Sequence, residues 1–371
     1  MLILESGVGN YVWSDGVNYS CFAGNNYLGL ANHTALIEAA VEGIQNYGIN
    51  FSASRQTTGT SAIHLELERA LARFKGRDDA VVFASGYLGN KILLYTLRGE
   101  YDALFADKSA HSSILDGIPC DLKEIFFYEH CDADDLEHKI RNSKSTKPLV
   151  ITDGIFALTG EIAPLDKIYT VVEKYNGLLV VDDAHATGVL GENGRGTPEY
   201  FGLGDAPRIF QTETMSKAIG VYGGFISGNK ELIQKIREKC PVYGASTALP
   251  PPIVAAAIAA VKLVREQPEL RNRTLSNGAR LRDGINRMGF QTTNSCTPII
   301  PVLFHHQTDA SNLSGFLKAH HIVAPFVTYP VKTVQYIVRI TVSAAHTEKQ
   351  IDELLIVLGD WKRLNKSVNG I

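Results

Sequence analysis

Lys217 lies in the run Thr214-Met215-Ser216-Lys217-Ala218-Ile219-Gly220, downstream of an apolar segment, Leu178-Leu179-Val180-Val181, that closes on Asp182-Asp183-Ala184-His185. An amine among small residues, with a carboxylate and an imidazole at one strand end, suits carbonyl chemistry. The amine can condense with an aldehyde, the carboxylate can hold a proton on a ring nitrogen, and the imidazole can donate to a phenolate. Those three needs are the needs of pyridoxal phosphate. Asp182 is the candidate for the ring nitrogen, which draws electrons only while protonated and keeps its proton best beside an anion. The alternative is an aspartate capping the next helix, a role open to Asp183 as well. His185 is the candidate donor to the phenolate oxygen. Lys217 is then the Schiff-base lysine and, once substrate releases it, the base at the substrate α-carbon.

Further residues fall where such a site needs them. Thr214 and Ser216 flank the lysine with hydroxyls for a phosphate, and Gly223-Gly224 lets the following strand pass close to the cofactor. The strand Ala80-Val81-Val82-Phe83 runs into Ser85-Gly86-Tyr87 and a helix, a junction that offers backbone N–H groups to a dianion or is a plain turn. His111 follows another short apolar strand and can stack on a cofactor ring. Arg339 interrupts the strand Tyr336-Ile337-Val338-Arg339-Ile340-Thr341-Val342. A buried guanidinium needs a partner, either a substrate carboxylate or an internal aspartate. Two patterns are set aside. Gly191-Glu192-Asn193-Gly194-Arg195-Gly196 lacks the order and ending of a phosphate loop and reads as a turn. The pairs His305-His306 and His320-His321 have no companion ligand at metal spacing and belong on the surface.

The elements that must position these residues alternate. An Asp15-Gly16 turn between two β-prone runs, Tyr11 to Tyr19, predicts a hairpin in an N-terminal arm, residues 1–25. From 26 to 256, amphipathic helices alternate with short apolar strands, such as the helix Ser61 to Lys75 with Ile63, Leu67, Leu71 and Phe74 on one face and Gly76 as its stop. That alternation predicts an α/β fold with a mostly parallel sheet covered on both faces, its ligands beyond the carboxyl ends of the strands. After Pro250-Pro251-Pro252, a linking helix (Ile253 to Glu266), two strands (Thr297 to Phe304 and Val334 to Val342) and a closing helix (Glu348 to Leu364) predict a small C-terminal α+β domain, residues 257–371. The chain has 371 residues, 45% of them hydrophobic, enough for two cores. Its 36 basic and 39 acidic residues are dispersed and net to −3, which speaks against nucleic acid and anionic membranes as partners. Five scattered cysteines without CxxC spacing read as thiols in a reducing compartment. With neither a signal sequence nor a run long enough to span a membrane, a cytoplasmic protein is expected.

Together these segments resemble the α-oxoamine synthase family of pyridoxal phosphate enzymes, within the aspartate aminotransferase fold, fold type I. The similarity runs through Asn25 to Leu30, Ser54-Arg55, Gly59-Thr60, His64, Leu67-Glu68 and Phe83 to Tyr87. It continues through Asp153 to Phe156, Pro164-Leu165, Val181 to Gly196, Met215 to Gly220, Ser246-Thr247 and Arg339 to His346. The resemblance implies a decarboxylative condensation of a small α-amino acid with an acyl thioester, giving an α-amino ketone, carbon dioxide and a free thiol. It implies that Lys217, Asp182, His185 and His111 are catalytic, and that Ser85, Gly86, Tyr87, His111, Asp182, His185, Thr214, Ser216 and Lys217 hold the cofactor. It further implies Asn25 and Arg339 at the substrate, and Ser246 and Thr247 at the phosphate of a neighbouring subunit, hence a homodimer. Four departures stand out: Ala157 where a serine is common, Ala186 where glycine or serine is usual, a bulky Ile49 to Ala53 loop, and a start without the family's further N-terminal helical segment. The loop and the start bear on the acyl-donor site.

Two other readings use the same residues. Transamination or aldol cleavage in the same fold also needs Lys217, Asp182 and Arg339, and heteromeric relatives include non-catalytic subunits, which typically lack the lysine. Glycine, alanine and serine all fit as amino substrate, and coenzyme A or acyl carrier protein as thioester carrier. The Thr328-Tyr329-Pro330-Val331 and Gly191 to Gly196 stretches lean toward glycine- or serine-using relatives.

Overall fold

The computed structural model describes residues 2–327 and 335–368. The chain divides into two compact units, a large one of His33–Phe156 and Ile162–Pro268, and a small one of Met1–Asn32, Ala157–Glu161 and Glu269–Ile371. The chain opens on the expected hairpin, β1 (Tyr11–Ser14) and β2 (Val17–Cys21), antiparallel with Ser14 opposite Val17. Its two-residue turn holds Asp15 and Gly16 at φ 52° and 69°, the left-handed pair that such a turn demands.

The large unit is built on a seven-stranded sheet. Its strands are β3 (Asp79–Phe83), β4 (Ala103–Asp107), β5 (Ile125–Tyr128), β6 (Pro148–Asp153), β7 (Leu178–Asp182), β8 (Ile209–Thr214) and β9 (Gly224–Gly228), in the order β3-β9-β8-β7-β6-β4-β5. Strands β4 to β8 pair in parallel, and β9 runs antiparallel to both β8 and β3. Every residue of β4 and β6 is buried. Side chains alternate between faces: Leu104, Ala106, Leu149, Ile151 and Val180 join one core, while Ala103, Phe105, Val150, Leu179 and Val181 join another. This two-sided burial is why the strands read as unbroken apolar runs. The helix Ala62–Lys75 buries Ile63, Leu67, Leu71 and Phe74 and ends at Gly76, which is left-handed at φ 65° with its N–H on the Ala72 and Arg73 carbonyls. The consequence for function lies at the strand ends, where β4, β6, β7 and β8 finish on Asp107, Asp153, Asp182 and Thr214.

In the small unit, β10 (Ile299–Phe304), β12 (Phe326–Val327) and β13 (Tyr336–Thr341) form an antiparallel sheet with β13 central, and β11 (Ile322–Val323) pairs in parallel with β2. The helices Pro268–Arg287, Gln307–Ala319 and Glu348–Val368 accompany these strands. The observed partition moves Ala157–Glu161 into the small unit and shifts both expected boundaries, 25 and 256. Residues up to Asn32 join the small unit, because Phe22 sits in its core and the Phe22 carbonyl accepts from Thr341 N at 2.9 Å. The helix Pro251–Glu266 stays with the large unit because it packs on the helix Thr34–Tyr47, where Gly43 leaves room for Ala255 and Pro251. Val334, the first residue of the expected final strand, and the Thr328 to Val331 stretch lie outside the described residues.

Candidate active site

Asp182 is buried at the carboxyl end of β7. Its Oδ2 accepts from the Asn90 amide at 2.6 Å, and its Oδ1 from the Ala184 N–H at 3.2 Å. Asn90 is fully buried in the helix Gly89–Thr96 and spends its remaining capacity at once: Nδ2 also donates to Ser113 Oγ at 3.0 Å, and Oδ1 accepts from Thr212 Oγ1 at 3.0 Å. Ser113 Oγ lies 2.8 Å from His111 Nδ1, so a continuous set of polar contacts runs from His111 through Ser113 and Asn90 to Asp182. A carboxylate held this way has a fixed place for its charge.

His111 caps the short helix that follows β4, and its backbone N–H donates to Asp153 Oδ2 at 2.9 Å. Burial lowers the pKa of its imidazole, against a raising influence from Asp182 and with a lowering one from Lys217. Those influences place Lys217 and Asp182 in the neighbourhood of His111. Tyr87 meets the His111 ring edge-on at 6.1 Å between centroids, and its hydroxyl donates to Asp116, which raises the phenol's pKa. Asp153 is fully enclosed, and burial together with the Asp182 charge pushes its carboxyl well above the usual carboxylate range.

The segment around Lys217 leaves β8 through a tight loop in which Thr214 Oγ1 donates to the Gly223 carbonyl at 3.0 Å and accepts from Ser216 N at 3.1 Å. Ser85 caps the turn Gly86–Leu88, its Oγ accepting from Tyr87 N at 3.3 Å. The Ser85 to Tyr87 turn and the β8 end press together without side-chain bulk. A Cβ on Gly86 would lie 2.7 Å from Thr214 Cβ, and one on Gly224 would lie 2.7 Å from Gly86 Cα. A glycine turn packed closely on the end of β8, beside an amine, a buried carboxylate and an imidazole, suits pyridoxal phosphate. The large unit therefore brings together Asp182, His111, Lys217, Tyr87, Gly86, Thr214 and Ser216, with His185 buried three residues beyond Asp182. Ser246 and Thr247 sit beside the Ala53–Ser54 segment. Thr247 bridges Ser54, Ala248 N donates to the Ala53 carbonyl, and Ser246 Oγ donates to the Val242 carbonyl.

Asn25 and Arg339 belong to the small unit. Arg339 is buried in β13, and its Nε donates to the Ala157 carbonyl at 2.6 Å. Its Nη atoms donate to the Gly24 carbonyl at 3.3 Å, Asn25 Oδ1 at 2.9 Å and the Tyr27 hydroxyl at 3.4 Å. Burial pushes the Tyr27 phenol up to about 12, so it stays neutral beside the guanidinium. Among the described residues no carboxylate pairs with Arg339, so the internal salt bridge entertained from sequence is absent there. The Gly191 to Gly196 stretch is a turn whose N–H groups at Asn193 and Arg195 bond the Glu199 carboxylate. Asp183 is structural: it accepts from Thr197 and Gln211, so tightly that a Cβ on Gly196 would lie 1.6 Å from its Oδ2. Sequence reading gave no role in the site to Asn90, Ser113, Thr212 or Asp153.

Residues 19–358 match the aminotransferase class I and II family. The chain is 38% identical over 372 residues to 8-amino-7-oxononanoate synthase from Thermoanaerobacter pseudethanolicus, covering 100% of this chain and 93% of that one. A serine palmitoyltransferase from S. paucimobilis, solved with a bound PLP–myriocin aldimine, superposes with a TM-score of 0.92 at 29% identity, covering 98% of this chain and 92% of that one. The 8-amino-7-oxononanoate synthase of Francisella tularensis superposes with a TM-score of 0.79 at 26% identity, covering 93% and 98%. The chain belongs to the aminotransferase class I and II family and, within it, to the α-oxoamine synthases. It is a pyridoxal phosphate-dependent acyltransferase that condenses an amino acid with an acyl thioester.

Proposed function

We propose that the amino substrate is alanine and the donor an ω-carboxyacyl thioester. The support is the full-length similarity, at 38% identity, to enzymes named for 8-amino-7-oxononanoate. The methyl-bearing amino carbon of that product is what alanine leaves after losing its carboxyl group. Its keto carbon and acid terminus are what such a donor contributes. Serine is the second reading, favoured by the close superposition on serine palmitoyltransferase.

Pyridoxal phosphate, when bound, supplies a ring that accepts the electron pair left by breaking bonds at the amino acid's α-carbon. The residues divide the remaining work. Asp182, fixed by Asn90, holds a proton at the ring nitrogen; His185 donates to the ring oxygen; His111 covers the ring; Ser85, Gly86, Tyr87, Thr214 and Ser216 hold the phosphate side. Lys217 supplies the amine to which the cofactor attaches and then the base that takes the α-proton. Arg339, buried and with no carboxylate partner among the described residues, is the anchor for the substrate carboxylate, with Asn25 orienting it. A guanidinium with no carboxylate partner among the described residues is the observation that carries the amino-acid assignment. The carrier of the acyl group is coenzyme A or acyl carrier protein. We further infer a homodimer in which Ser246 and Thr247 reach the partner's phosphate, Thr247 being exposed, and a cytoplasmic location, in keeping with five cysteines outside any disulfide.

The test is to incubate the enzyme with alanine, glycine or serine and with pimeloyl or palmitoyl thioester, following thiol and carbon dioxide release. Release with alanine and the pimeloyl donor is expected. Release confined to serine and the palmitoyl donor would replace the first reading by the second, and keto-acid formation without thiol release would refute both. Lys217→Ala should abolish turnover and leave no cofactor covalently retained after borohydride reduction.

A further inference from the structure

Beyond the ends of β4 and β5, Asp107, His130 and Cys131 form a line of three chemically matched groups. Asp107, at the end of β4, is buried, and its Oδ1 lies 2.9 Å from His130 Nδ1. The opposite ring nitrogen, His130 Nε2, lies 3.8 Å from Cys131 Sγ. A carboxylate that accepts from Nδ1–H fixes the tautomer, leaving the Nε2 lone pair facing the thiol. This is the order of an oriented base and its nucleophile. We propose that Cys131 is a reactive thiol, activated by His130 and Asp107, and a site of reversible modification by low-molecular-weight disulfides.

The backbone fixes this order. Asp107 Oδ2 accepts from Cys131 N at 2.9 Å, and Oδ1 also accepts from Ser109 N at 2.7 Å, so one carboxylate ties together the turns after β4 and β5. Cys131 is held in the left-handed region at φ 56°, a conformation costly for a residue with a Cβ, and the His130 ring stands edge-on to Phe156 at 4.3 Å. The helix Ala133–Asn142 begins two residues on, and Asp132 takes its N–H groups at Asp134 and Asp135. Both side chains are partly open to solvent, unlike the buried Cys21 and Cys240. The same three side chains offer a cation oxygen, nitrogen and sulfur. Among the described residues, however, no fourth ligand joins these three, too few for the closed four-ligand sites that hold zinc.

In the reaction, His130 Nε2 takes the thiol proton as Cys131 Sγ attacks one sulfur of the disulfide, whose S–S bond breaks. The leaving thiolate recovers the proton from His130, so Cys131 is oxidised to a mixed disulfide and one half of the reagent is reduced to a thiol.

The test treats the cofactor-loaded enzyme, dialysed against EDTA, with glutathione disulfide and follows each cysteine-containing peptide by mass spectrometry. The exposed Cys120 serves as the reference in the same molecule. Cys131 should be modified about tenfold faster than Cys120, and His130→Gln should bring it down to the Cys120 rate without changing Cys120. Asp107→Asn should give an intermediate rate. A Cys131 rate no higher than that of Cys120 in the unaltered enzyme, or a rate that His130→Gln leaves unchanged or raises, overturns the proposal. The ratio in the unaltered enzyme decides the matter even if a variant does not fold.

Discussion

Asp182 works through what holds it. A carboxylate in a buried site is useful to a ring nitrogen only if its charge is localised and its rotation stopped, and Asn90 does both through a 2.6 Å bond across 92 residues of sequence. Removing a buried donor leaves Ser113, Thr212 and the carboxylate short of partners, at about 1–3 kcal/mol. Asn90→Ala should therefore slow deuterium exchange at the substrate α-carbon by about tenfold to a hundredfold while the fold persists. Asn90→Asp, which sets a second carboxylate against the first, should be worse. Near-normal exchange in both would show that Asp182 needs no such support. Arg339→Ala should raise the amino-acid KM far more than the thioester KM, and equal effects would make Arg339 structural. Asp182 and His111 could be singled out because each stands at or just beyond a short apolar strand, and Lys217 because it lies among small residues downstream. Asn90 was not, because an asparagine in an amphipathic helix reads as its wet face, and only the fold shows that this helix is buried there.

Elements carry the site through close approaches as much as through side chains. Gly43, on the helix Thr34–Tyr47, is such a place: a Cβ there would meet Ala255 Cβ at 2.9 Å and the Pro251 carbonyl at 3.0 Å. Gly43→Val should destabilise the large unit by about 1–3 kcal/mol in urea denaturation, with Ala255→Gly restoring part of it. Full stability in the single variant would mean that these helices separate at little cost. The helix Ala62–Lys75 and the strands β3 and β7 could be read directly, since periodicity and Gly76 mark them. The antiparallel direction of β9 could not, because a short apolar strand such as Gly224-Phe225-Ile226 carries no sign of its polarity. The two-residue strands β11 and β12 are shorter than any periodic signal, and their place depends on partners distant in sequence. The small unit's claim on residues up to Asn32 is of the same kind, fixed by Phe22 entering a core made mostly of C-terminal residues.

At the scale of the whole molecule, each unit contains a buried histidine that must stay neutral. In the large unit, His64 lies between Ser61 Oγ at 2.8 Å and the Leu249 carbonyl at 2.9 Å; in the small unit, His346 accepts from Ser343 N at 3.0 Å and lies 2.9 Å from the Cys21 carbonyl. At His346 one ring nitrogen donates and the other accepts, so a second proton would face the Ser343 N–H. Burial lowers both imidazoles to about 4. In the unfolded chain they titrate near ~6.5. Between those values the unfolded state binds more protons than the folded one, so stability rises with pH. The contribution is complete above about 6.5 and is lost as the pH falls toward 4, roughly 3 kcal/mol for His346. His346→Gln keeps one donor and one acceptor but cannot be protonated, so its urea midpoint should fall less steeply than that of the unaltered enzyme between pH ~6.5 and ~4.5. A parallel pair of profiles would show that His346 is protonated in the folded state, with Ser343 turned away from it.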